Sequence, residues 1–81
     1  MTRVQLIKEI IVQLKRHGTP SATRGNADFY RFNVGEKQYL IMDGTTGTYI
    51  RRIGKMGKIG VEEITTILRS VTRTPEKGDP K

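Results

Sequence analysis

An α+β fold is what this sequence predicts: a two-layer sandwich in the order α-β-β-β-α, with a three-stranded antiparallel sheet. Three observations predict it. Apolar residues recur at helical spacing near both ends, as Val4-Ile7-Ile11-Leu14 and as Val61-Ile64-Leu68-Val71. Between them, from Asp28 onward, the period falls to two and glycine-bearing turns divide the run into strands. A chain of 81 residues buries one modest core, so helices and strands must share it.

The first helix is expected over Met1 to His17, its stripe widened by Leu6 and Ile10. Thr2 followed by Gln5 matches a capping box, Lys15, Arg16 and His17 suit the negative end of the helix dipole, and Gly18 offers the stop. The stripe reads as core against a sheet, although the same spacing also suits a short coiled-coil seam. His17 reads as a helix-end cation or a solvent-facing residue. Next, Gly18 to Ala27 (G-T-P-S-A-T-R-G-N-A) is small and polar and reads as a loop, in which Arg24 at a phosphate is the alternative to a solvated Arg24, the plainer reading.

Phe29 to Val34 and Lys37 to Met42 form the first two strands, joined by a two-residue turn at Gly35-Glu36. Pairing Val34 with Lys37 puts Tyr30, Phe32, Val34, Tyr39 and Ile41 on one face, which is the better core. It puts Phe29, Arg31, Asn33, Leu40 and Met42 on the other. A second turn spans Asp43 to Gly47, and Thr48 to Ile53 is the third strand. A bulge at Gly47 would exchange that strand's faces, so either the Tyr49/Arg51 or the Ile50/Arg52 set points away from the helices. The second helix is expected over Val61 to Val71, with Glu62 and Glu63 in its first turn as the dipole favours. The domain is thus read as 1–71. From Thr72 to Lys81 the chain has two prolines and no apolar anchor, and is read as a disordered tail.

Function is read first from charge. Fifteen Lys and Arg against eight Asp and Glu give +7, which points to a polyanionic partner. The charge is concentrated: Arg51, Arg52, Lys55 and Lys58 fall together, and no acid lies between Asp43 and Glu62. Gly54, Gly57 and Gly60 keep the second half of this stretch from regular structure and leave an open loop running into a helix start, where a phosphate is favoured. The spacing matches neither the Walker loop nor the dinucleotide fingerprint. A solvated connector is the plain alternative.

Enzyme chemistry is disfavoured. Cysteine is absent and His17 is the only histidine, so neither a disulfide framework nor a zinc site can be built from them. Ser21 and Ser70 have no base in view. Asp28, Glu36 and Asp43 suit hairpin turns better than a metal site. No cofactor and no small-molecule substrate is expected. Charges interrupt the apolar residues near the start of the chain, so neither a signal peptide nor a membrane span is read there, and a cytoplasmic setting is expected.

Phe29-Tyr30, Gly35, Tyr39, Asp43, Thr46-Gly47, Gly54 and a helix opened by Glu62-Glu63 resemble small three-stranded DNA-binding domains of the integrase arm-binding and ethylene-response-factor type. The resemblance covers roughly residues 29–68. It implies a sheet lying in the major groove, with Arg31, Tyr49, Arg51 and Arg52 at the groove. The tryptophans and the turn proline common in those domains are missing here, and the N-terminal helix is additional. With that helix the order is similar to a double-stranded-RNA-binding domain, in topology only, since glutamates stand where that family has lysines. Small ribonuclease toxins share the order too, but their first-strand histidine has no counterpart between Asp28 and Val34.

The expectation is therefore a non-enzymatic nucleic-acid-binding protein, DNA before RNA, using Arg31, Tyr49, Arg51, Arg52, Lys55 and Lys58. The alternative is a protein-interaction module with an acidic partner, or a homodimer joined through the apolar sheet face or the first helix.

Overall fold

A computed structural model describes residues 1–73 and shows an α+β fold: α1 (Arg3–Arg16), β1 (Ser21–Arg24), β2 (Ala27–Val34), β3 (Lys37–Gly44), β4 (Gly47–Arg52) and α2 (Val61–Arg73). The sheet is an antiparallel meander of four strands in the order β1-β2-β3-β4, which corrects the expected three. The added strand comes from the segment read as a loop. Ser21 pairs with Tyr30 and Arg24 with Ala27 around a tight turn at Gly25-Asn26, where Gly25 has φ +61°. Such a turn matches the twist of the flanking strands. All of β1 is solvent-exposed, so pairing of its backbone, rather than burial of its side chains, makes it a strand.

Thr2 caps α1 as expected. Its hydroxyl accepts from the Gln5 amide at 3.1 Å, and the Gln5 side chain accepts the Thr2 amide at 2.8 Å. The buried stripe is Leu6, Ile7, Ile10, Ile11 and Leu14, turned so that Val4 is left 45% exposed. His17 is held rather than free, because its Nε2 lies 2.7 Å from the Val71 carbonyl and must donate to it. That bond ties the ends of the two helices. Helix α2 runs two residues beyond the expected Val71, to Arg73, and the rest of the expected tail lies outside the described residues.

Both helices lie on one face of the sheet, α1 against β4 and α2 against β2. Tyr30, Phe32, Tyr39, Ile41 and Ile50 meet the helix stripes there in a single core. Val34 packs at its margin. Pairing of Ile41 with Ile50 and of Met42 with Tyr49 continues without a bulge to Gly44–Gly47, so the faces of β4 are fixed. Thr48, Ile50 and Arg52 point to the helices, and Tyr49 and Arg51 point away. No helix among the described residues is long and apolar enough to cross a membrane.

Candidate nucleic-acid interface

The strand register lays out the open face of the sheet in rows. Ala22, Phe29, Met42 and Tyr49 stand side by side across the four strands. Beside them, Arg31, Leu40 and Arg51 form the next row, with Asn33 and Gln38 beyond. On the other flank, Arg24 continues into the small residues Ala27, Gly44 and Gly47. Arg24, Arg31 and Arg51 are exposed, and Phe29, Leu40 and Met42 are half-buried. None of the positions in these rows is acidic.

The strand carboxylates are on the helix side. Asp28 accepts the Thr23 hydroxyl at 2.8 Å, and Asp43 accepts the Thr48 hydroxyl at 2.9 Å. Lys8 lies 3.8 Å from Asp43, an exposed pair that contributes little. Alternation along the strands thus sends Asp28 and Asp43 to one face and Arg31 and Arg51 to the other. The open face keeps its positive charge uncompensated.

Tyr49 is the most exposed aromatic of this surface, at 51%. Its ring lies back across Gly47, and its hydroxyl donates to the Thr46 carbonyl at 3.2 Å. A β-carbon on Gly47 would come within 2.6 Å of the Tyr49 oxygen, and Gly47 has φ +148°, so glycine is required there twice over. The missing side chain makes room for the ring.

Arg52 has a different fate. Its Nη1 lies 3.4 Å from Glu63 Oε2, on the helix side, and the same carboxylate oxygen accepts the Tyr39 hydroxyl at 2.6 Å. Burial, and then the bond to and charge of Glu63, push the Tyr39 phenol up to about 12; Arg52 opposes this. Of the two adjacent arginines, only Arg51 stands on the open face.

Lys55 and Lys58 are exposed in the loop from β4 to α2, and Met56 between them is 92% exposed. The loop is nevertheless anchored. Ile53 donates its amide to Gln38 at 2.9 Å, Ile59 is 1% exposed, and the Ile59 carbonyl accepts Arg3 Nη1 at 2.7 Å. Arg3, Val4, Thr48, Tyr49, Ile50, Arg51, Gly57 and Lys58 line a cavity of about 330 Å³ at the sheet edge. The expected phosphate position at the start of α2 is less favourable, because Glu62 and Glu63 already supply negative charge in its first turn.

Comparison with known proteins adds no relative. No family model, curated protein or solved structure matches the chain. The site has to be read from its own chemistry.

Of the six residues proposed from the sequence, the fold brings Tyr49, Arg51 and Lys58 around one edge, places Arg31 two strands away, and leaves Lys55 in the loop but outside the lining of that cavity. It turns Arg52 to the opposite face. The sequence reading set Arg24 aside as solvated and did not consider Arg3. The Gly25-Asn26 pair was a hairpin signal for the first, whereas nothing local to Arg3 announced a contact with Ile59, 56 positions away.

Proposed function

We propose that the protein is a non-enzymatic nucleic-acid-binding protein whose open sheet face and adjoining β4–α2 loop contact the polymer. One observation carries the reading: Arg24, Arg31 and Arg51 share a surface with Phe29 and Tyr49, and no carboxylate stands among them. Guanidinium groups hold phosphate, and aromatic rings take the apolar face of a base. Self-association through the same face would bring two such sets of arginines together without a counter-charge, which disfavours a homodimer there. The expectation of DNA before RNA rested on a resemblance to three-stranded domains, and the four-stranded sheet withdraws that support.

Salt dependence tests the reading. With Arg31, Arg51, Lys55 and Lys58 each at a phosphate, log affinity against log salt has a slope of about −2.8 on a single strand or −3.6 on a duplex. Replacing Lys55 and Lys58 by alanine halves the slope and leaves the fold intact. Sedimentation with and without nucleic acid supplies the opposite outcome: a mass that rises with protein concentration, and no retention of either duplex or single strand at near-physiological salt, would replace this function with the interaction module.

A further inference from the structure

We infer that the outer edge of β4 is a subsite for one nucleotide of an unpaired strand, with the base stacked on Tyr49 and the phosphates on either side of it held by Arg51 and Lys58. The inference rests on the nucleic-acid reading above and specifies which form of polymer the face accepts.

The width of the sheet argues against entry into a duplex groove. Three strands at about 4.8 Å spacing span roughly 10 Å between outer axes, but four span roughly 14 Å, against a major groove about 12 Å wide. The fourth strand is what changes the outcome. An open face with an exposed ring at Tyr49 and a half-buried one at Phe29 suits bases that have already left a helix, because every base offers a π-face.

The geometry at β4 then supplies a place for each part of a nucleotide. Tyr49 is tethered through its hydroxyl and laid over Gly47, so one side of the ring is covered and half of the residue is open to solvent. A tethered ring loses little conformational freedom when a base stacks on it. Beside it is the cavity of about 330 Å³, with Arg3, Arg51 and Lys58 in its wall and no acidic residue. Arg3 is fixed there by its bond to the carbonyl of Ile59, the residue after Lys58. Three cations around one small cavity repel one another unless anionic groups sit among them, and the two phosphates flanking one nucleotide satisfy that. These contacts are common to DNA and RNA.

Fluorescence anisotropy of the full chain with labelled oligothymidylate, oligouridylate and a random duplex, at one near-physiological salt concentration, tests this. Both single strands are expected to bind at least about tenfold more tightly than the duplex, and the two arms show which sugar is preferred. Tyr49→Ala weakens single-strand binding roughly 5- to 150-fold and changes duplex binding less than about twofold; Tyr49→Phe keeps the stacking surface but loses the hydroxyl tether, and falls between the parent and Tyr49→Ala. Thermal unfolding of each variant guards against loss of fold. Preference for the duplex, or a Tyr49→Ala variant that binds single strands like the parent, overturns the inference while leaving nucleic-acid binding in place. Absence of binding to all three probes removes both.

Discussion

Adjacent arginines on opposite faces make a sharp experiment. Replacing Arg51 by alanine removes one cation from the open face, and replacing Arg52 removes one that is paired with Glu63. Each phosphate contact contributes about 0.7 to the salt slope on a single strand. Four contacts give about −2.8, so Arg51→Ala brings the slope to about −2.1. Between 50 and 200 mM salt, the parent then loses about 50-fold in affinity and the variant about 20-fold. Arg52→Ala should leave the slope unchanged. Its cost falls on the fold instead, since Glu63 keeps Tyr39 but loses its cationic neighbour: about 1 kcal/mol for a partly exposed pair, or roughly 4–8 °C in Tm for a domain of this size. Anisotropy titrations across that salt range, with calorimetry on the same preparations, give both readouts. A slope lowered equally by the two substitutions would refute the assignment of faces.

Three further outcomes follow from the same contacts. Ile59→Ala empties a fully buried position in the glycine-rich loop and should cost about 2–5 kcal/mol in denaturant unfolding; a change under about 1 kcal/mol would mean that the loop is not anchored. Tyr39 titrates at about 12 in the folded chain, above the ordinary 10, so its stabilisation is complete below pH 10 and is lost as pH rises through 12. Alkaline unfolding curves should accordingly be flatter over pH 10–12 for Tyr39→Phe than for the parent. Gly47→Ala combines an unfavourable φ with a clash against the Tyr49 ring, and is expected to lower stability by about 1–3 kcal/mol, read from the unfolding midpoint.

The sequence by itself determined what depends on neighbours along the chain. The Thr2/Gln5 cap, the start of α2 at Val61, the Gly35-Glu36 hairpin and the alternation that buries Tyr30, Phe32, Tyr39 and Ile41 all rest on spacing within a few residues. The same alternation places Arg31 on the face away from the core. Only tertiary structure decided the rest. Gly25-Asn26 was a local turn signal, but Ser21–Arg24 became a strand through backbone pairing with β2, and its exposed side chains carry no burial pattern to announce that. The unbroken pairing of β4 with β3 chose Arg51 over Arg52 for the open face, because a one-residue slip exchanges faces and short-range pattern does not exclude one. The joining of Arg3, Arg51 and Lys58 around one cavity required α1, β4 and the loop to meet, a convergence of residues remote in sequence that only packing of the core can produce.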